Sequence, residues 1–389
     1  MVRAASCLVV CALAAPARAD NPPIVDSNYA IDLYDGVAIG DTAMIGMGGA
    51  GAALINGTAG TLINPSALAV RQTTDLDSWG WSYHLDVLTG RYSSDYDNNG
   101  VVAEDSGAAL LTGGLGLRIH DWSVGLTYLT QSSPLPGSSP KLTASATKWR
   151  LILADYLPEY DLAAGVGIQF ASFGLAEGGT KLFEVAGSGL IAGATWLPRD
   201  QDVRIGGSLD LAITGGQVNV KCDPDPMTTA MTCNGHILPD EVDSPPRLVG
   251  GIAYRIGPTP WNQTTYAIFR DERAVTLAAD VVVTGPTSNG YGIEAFGMGQ
   301  LQRSGASAAI SLRGGAEYEW LPGKLRVRGG AYWEPPRFDG VNGRLHATFG
   351  AELAVFEFHL RGLRRLQVSF TGDVAARYRN VGLAIGFWR

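Results

Sequence analysis

From about residue 75 to the end, apolar side chains alternate with small or polar ones in runs of roughly ten residues, each ended by a break. Gly107 to Ile119 shows the rule. Ala109, Leu111, Leu115, Leu117 and Ile119 share one parity, while Thr112, Gly114, Gly116 and Arg118 share the other. A β-strand sends successive side chains to opposite faces, so each run reads as a two-faced strand. The pattern predicts fourteen of them: Leu76–Leu88, Gly107–His120, Trp122–Gln131, Thr143–Asp155, Asp161–Phe173, Phe183–Leu197, Val203–Thr214, Leu248–Ile256, Ala274–Thr284, Ala308–Trp320, Leu325–Glu334, Leu345–Glu357, Leu366–Asp373 and Val381–Trp388.

The two faces differ in charge. Val203, Ile205, Leu209, Leu211 and Ile213 form one apolar row, and Ile310, Leu312, Tyr318 and Trp320 another. Opposite them stand Arg204, Ser208 and Asp210, and Arg313, Glu317 and Glu319. A charged side chain turned to lipid costs about 2–4 kcal/mol at the midplane, so the charged parity belongs inside. The fold class expected is an all-β transmembrane antiparallel barrel of about 14 strands. Arg118, Arg150, Arg204, Asp210, Arg313 and Glu317 are its candidate lumen lining. Trp79, Trp81, Tyr83, Trp122, Tyr128, Trp149, Trp320 and Trp333 fall at or near strand ends, where amphipathic rings suit headgroup depth.

Connection lengths alternate too. His120-Asp121, Leu197 to Asp202 and Leu321 to Lys324 are tight. Thr89 to Ser106, Ser132 to Leu142, Gly215 to Arg247 and Gly285 to Ser307 are long. Short periplasmic turns and longer outer loops are the asymmetry of such barrels. A mature N-terminus starting in the periplasm puts every long connection outside, Gly257 to Arg273 being a long inner exception. The last strand ends in Phe387-Trp388, an aromatic ending of the kind barrel-assembly machinery receives, although Arg389 follows it.

Residues 1–19 read as a signal peptide: Arg3, an apolar Cys7–Ala15 stretch and an Ala17-Arg18-Ala19 cleavage site. Leu8-Val9-Val10 before Cys11 makes a poor lipoprotein signal. No stretch holds eighteen uninterrupted apolar residues, so no transmembrane helix is expected. Without Arg3 and Arg18 the chain keeps 27 bases against 37 acids, a net charge of −10 with no basic stripe for nucleic acid. In an exported chain the remaining pair, Cys222 and Cys233, reads as a disulfide.

Residues 20–74 do not alternate, and are set apart from a barrel at 75–389. They hold Gly46-Met47-Gly48-Gly49-Ala50-Gly51 and Asn64-Pro65-Ser66-Ala67-Leu68, with Pro65 placed to end any local helix. These elements resemble the glycine-rich stretch and the Asn-Pro-Ala-Leu-like element of the FadL-type long-chain fatty-acid transporter family of Gram-negative outer membranes. Asn64, Pro65 and Leu68 match, with Ser66-Ala67 in place of one alanine. Arg313-Gly-Gly-Ala-Glu317-Tyr318, Leu325 to Tyr332 and Pro335-Pro336 resemble a late hairpin of the same family. The resemblance implies an N-terminal hatch in a fourteen-stranded barrel. It also implies uptake of hydrophobic molecules released sideways near the third strand, where Gly125 is the candidate kink or gap. Gly46, Gly48, Gly49, Gly51, Asn64, Pro65, Leu68 and Gly125 are then the ligand-path residues. The family's capture groove uses long loops after strands five and seven; here Gly174 to Leu182 is short.

Other chemistry is weaker. Gly46-x-Gly48-x-x-Gly51 lacks a preceding strand and a following acid for a dinucleotide, so no cofactor is expected. Asp95-x-Asp97-x-Asn99-Gly100 opens like a calcium loop, but Ser106 stands where the bidentate glutamate belongs. Glu104 and Asp105 lie near, and a solvated acidic loop is the plainer expectation. Ser82, His84 and Asp86 share a face, but neighbours two apart on a strand sit roughly 6–7 Å from each other, too far for a nucleophile–base contact. The reading is a non-enzymatic outer-membrane barrel for small hydrophobic ligands. Its partners are outer-membrane lipid, lipopolysaccharide and the assembly machinery. A PorV-type secretion shuttle and a barrel lipid hydrolase are the alternatives.

Overall fold

The computed structural model describes residues 21–34, 40–54, 56–70, 78–90, 95–102, 108–135, 138, 141–216, 218, 223–224, 231–263, 269, 271–359 and 363–386. The expected signal peptide, Cys222, Glu104, Asp105 and Phe387-Trp388 lie outside these residues.

Fourteen antiparallel strands close into one barrel. They are β1 (Trp79–Gly90), β2 (Ala108–Ile119), β3 (Trp122–Pro134), β4 (Leu142–Leu157), β5 (Leu162–Glu177), β6 (Thr180–Trp196) and β7 (Val203–Asp210). Then follow β8 (Arg247–Ile256), β9 (Val275–Thr284), β10 (Ala309–Leu321), β11 (Leu325–Glu334), β12 (Arg344–His359), β13 (Leu363–Ala375) and β14 (Tyr378–Gly386), which pairs back onto β1. Every strand expected from the alternation exists. Its outward parity (Leu115, Leu151, Val166, Leu190, Ile310, Leu312) is exposed, whereas Arg118, Arg150, Arg204, Asp210, Arg313 and Glu317 are each no more than 7% exposed. An apolar outside around a charged inside is the pattern of a barrel that spans a bilayer with its strands. No helix among the described residues is long and apolar enough to cross a membrane.

Three expectations change. Gly174 to Leu182 is not a loop: β5 and β6 run on to a two-residue turn at Gly178-Gly179, both at positive φ. The seventh strand leaves the wall at Asp210. Ile213-Thr214 belongs instead to a second sheet with Glu241–Ser244, Ala30–Asp32 and Gly290-Tyr291. Ile213 is therefore buried at 3% exposure and not part of the lipid-facing row. Third, β3 pairs in unbroken register with both β2 and β4, Gly125 facing Gly116 and Ile152. The third strand has no kink or gap there.

The bend at Asp210 has a readable cause. Asp210 pairs with Arg247, and beyond the break Ile213 pairs with Ser244 and Thr214 with Asp243, so the hairpin keeps its register. The interrupted positions are Leu211-Ala212 and Pro245-Pro246. Proline has no N–H for the ladder, so two in succession break it and let the hairpin turn into the lumen.

The N-terminal residues also surprise. The Ala30–Asp32 strand runs parallel to Glu241–Ser244 and Gly290-Tyr291, in the long connections after β7 and β9. Residues 21–34 thus sit at the long-loop end, not at the short-turn end where β1 begins. Asp32 is fully buried there. It takes hydrogen bonds from Arg337 Nε at 2.9 Å, Ser304 Oγ at 2.6 Å and Thr287 Oγ1 at 2.8 Å.

Candidate functional site

Residues 40–54 and 56–70 pack against inward-facing residues of the barrel wall. Helix α1 (Thr42–Gly46) is capped by Asp41, whose carboxylate accepts from Met44 N. Helix α2 (Gly57–Gly60) follows. Pro65 does not end a helix but opens a 3-10 turn, Pro65–Ala69, with its ring at a position where no N–H is needed. Polar anchors come from the wall. Asp280 of β9 accepts from Gly51 N at 2.8 Å and Ala52 N at 2.9 Å. Asn64 donates to Ala52 O at 2.8 Å and to Thr195 Oγ1 at 3.0 Å.

Close approach explains the small residues. Gly48 has φ +67°, and a Cβ there would lie 2.4 Å from Gly314 O of β10. Gly46 touches Arg328 and Gly350, Gly49 touches Arg313, and Pro65 lies against Gly165. Leu68 inserts between Gly116 and Gly125: a Cβ on either glycine would come within 2.8 Å of its methyls. Gly125 is thus a socket for Leu68.

Above this layer lies a cavity of about 50 Å³. Arg150, Asp210 and Arg313 line it together, with Lys148 and Arg247, which the sequence reading missed. Lys148 shares the parity of Arg150 and was legible. Arg247 was not, because only the β7–β8 register sets it beside Asp210. Asp210 Oδ2 accepts from Arg150 Nη2 at 3.1 Å and from Arg247 Nη2 at 2.8 Å. Apolar walls come from Leu62, Leu129, Leu211 and Val282. Among the described residues of this lining stand four cations and one carboxylate, beside aliphatic surface.

The other charged candidates work elsewhere. Arg118 Nη1 donates to His120 O. Arg204 stacks over Trp261 at 4.0 Å, where the inner 257–263 stretch folds under the barrel. Glu317 joins a wall network in which Arg328 bridges it to Glu352, at 2.6 and 2.5 Å. His84 and Asp86 each bind a threonine of the filling segment, Thr58 at 2.9 Å and Thr42 Oγ1 at 3.1 Å, instead of one another.

The Asp95 loop is not a solvated one. Asp95 is fully buried, its carboxylate accepting from Asn99 N at 2.9 Å and Gly100 N at 3.0 Å. Asn99 Nδ2 donates to Glu294 at 2.5 Å, in helix α3 (Ile293–Gly297). Burial pushes the Glu294 carboxyl up to about 7, with the charge of Asp95 adding to the rise and the Asn99 hydrogen bond opposing it. Among the described residues no group of acids, histidines or cysteines is arranged to hold a metal ion.

No protein-family model matches the chain, and no curated protein matches it in sequence. Solved structures do match in fold. A Pseudomonas aeruginosa FadL homologue superposes with a TM-score of 0.57 at 14% identity, over 90% of this chain and 99% of that one. The Pseudomonas putida toluene transporter TodX gives 0.53 at 13% identity, over 94% and 100%. CymD, a monoaromatic hydrocarbon channel, gives 0.53 at 13%, over 91% and 98%. From β1 to β14, this chain has the fold of the FadL-type outer-membrane channels.

Proposed function

We propose that the protein is a Gram-negative outer-membrane channel that takes up small hydrophobic compounds, and that its ligand is an amphiphile with an anionic end, a long-chain fatty acid or similar. The cavity lining carries this reading. A carboxylate brought out of water needs charged partners, and charge-assisted hydrogen bonds from arginine supply them. Among the described lining residues Lys148, Arg150, Arg247 and Arg313 stand with Asp210, while Leu62, Leu129, Leu211 and Val282 suit an alkyl chain. Residues 20–74 act as the hatch, and residues 40–70 keep the lumen from being an open pore. The protein works without a cofactor and without covalent chemistry. Its last strand engages the assembly machinery, and lipopolysaccharide surrounds its outer rim.

Native mass spectrometry of the detergent-extracted protein should find co-purified fatty acid. Arg247→Ala should weaken binding of dansylated undecanoate and leave binding of uncharged toluene unchanged. Equal weakening of both would remove the anionic end from the proposal. An empty barrel that pulls down a large protein partner would favour the secretion-shuttle reading.

A further inference from the structure

The β2–β3 and β4–β5 turns lie side by side at the short-turn rim of the barrel. Trp122 pairs with Asp155 across the β3–β4 ladder, and Tyr156 N donates to Asp121 O at 3.1 Å. Between the turns opens a groove of about 870 Å³. Its walls carry three aromatic rings, Trp122, Tyr156 and Tyr160, and three carboxylates, Asp121, Asp155 and Glu159. No lysine or arginine stands among its described lining residues.

The groove sits at the depth of lipid heads. The outward parity of β3 runs from Trp122 into Val124 and Leu126, and that of β4 runs from Leu151 and Leu153 down to Asp155. All of these except Asp155 are exposed apolar side chains. Trp196, Tyr254 and Trp320 are exposed near the same ends of β6, β8 and β10, as amphipathic rings are at a membrane interface. Short turns mark the periplasmic side, where the leaflet is phospholipid.

Asp155 is the informative member. It lies on the lipid-facing parity beside a tryptophan, a costly place for a carboxylate without a partner. Its Oδ1 is shielded from solvent and accepts no hydrogen bond among the described residues. A buried acceptor left that way costs its full desolvation, so a donor completes the site. An ammonium brings N–H donors, a charge opposite to the three acids, and a cation for the ring faces. A bare hydrocarbon tail brings none of these, and an anion would be repelled. At the groove's edge Arg199 is held by Asp161 at 2.7 Å and by the carbonyl of Pro158. A cation there suits the phosphate that a phospholipid carries next to its ammonium.

We propose that this groove is a binding site for the head of an ammonium phospholipid of the periplasmic leaflet, phosphatidylethanolamine. Its ammonium lies between Asp155 and the rings, and its phosphate faces Arg199. The acyl chains then run along Trp122, Val124 and Leu126. The site is on the outer wall and does not depend on what the lumen carries. A lipid bound there favours the folded rim by mass action.

The test places the mature chain in nanodiscs of equimolar phosphatidylethanolamine, phosphatidylcholine and phosphatidylglycerol, and counts retained lipids by native mass spectrometry after release. Phosphatidylethanolamine should be retained about fivefold over phosphatidylglycerol, the size of one cation–π contact. It should also exceed phosphatidylcholine, whose quaternary head has no N–H for Asp155 Oδ1. Asp155→Asn and Trp122→Leu should each bring these ratios close to one. Retention without headgroup preference, or a preference that both variants keep, overturns the proposal. Should neither variant fold, Tyr160→Ala at the exposed turn carries the same test, and an undiminished preference overturns it. In living cells Tyr160→p-benzoylphenylalanine should crosslink phospholipid. Capture of a protein and no lipid would give the groove to a lysine-bearing partner and overturn the lipid site.

Discussion

Two stretches of wall, β2–β4 and β6–β8, look alike in sequence and differ in construction. Both are rich in glycine. At β3 the ladders are continuous on both sides, and the glycines receive Leu68 from within. At β6 the glycines receive the β7–β8 hairpin, which has left the wall. Glycine content therefore does not locate a weak place in a barrel. The prolines do, because they decide where a strand stops making hydrogen bonds.

The largest expected effect comes from removing what holds the hairpin inward. Asp32→Ala leaves Arg337 buried without its partner, and breaking such a pair costs about 3–5 kcal/mol. The Ala30–Asp32 strand should then detach from Glu241–Ser244. Amide exchange in residues 211–216 and 241–246 should rise while β2–β4 stays protected. Equal exchange in both stretches would erase the contrast between them.

On the sealed side, Gly125→Val should cost about 1–3 kcal/mol by overpacking Leu68. Leu68→Ala in the same chain should return most of that cost, read as a double-mutant cycle of thermal melting in detergent. A strictly additive pair would mean that Leu68 does not sit in the Gly125 socket.

A smaller effect concerns the outer rim. Glu294 is raised from its ordinary 4.5 to about 7 by burial, and burial together with Glu294 and Asp95 also raises Asp97. An acid raised in the folded state favours that state most below its unfolded value, so this contribution is present below about 4.5 and lost as pH rises through about 7. Proteolysis of the 95–102 loop should be slow at pH 4 and faster at pH 8. Glu294→Gln should flatten that profile, and an unchanged profile would remove Glu294 as its source.

The smallest change expected is at Gly250 on β8. It faces outward, and a Cβ there meets nothing within 4 Å. Gly250→Ala should leave melting unchanged or raise it by less than about 1 kcal/mol through the unfolded chain. A large loss there would mean that strand glycines matter for more than contact.

Alternation alone determined the barrel, its fourteen strands, and which parity faces lipid, because a period of two is a local property of extended backbone and charge is costly in lipid. The match is close at β11, where Leu325–Glu334 was legible to the residue. The same periodicity misled at Ile213, since an apolar residue on the outward parity looks the same whether the strand stays in the wall or bends away. It also gave no sign that residues 21–34 reach the long-loop end, because parallel pairing with Glu241–Ser244 and Gly290-Tyr291 joins segments more than two hundred residues apart. The cavity shows the same division. Arg150, Asp210 and Arg313 carried a visible signal, charge on the inward parity. That they converge with Lys148 and Arg247 on one space was decided by strand register and by the bend at Pro245-Pro246, which exist only once the sheet has closed.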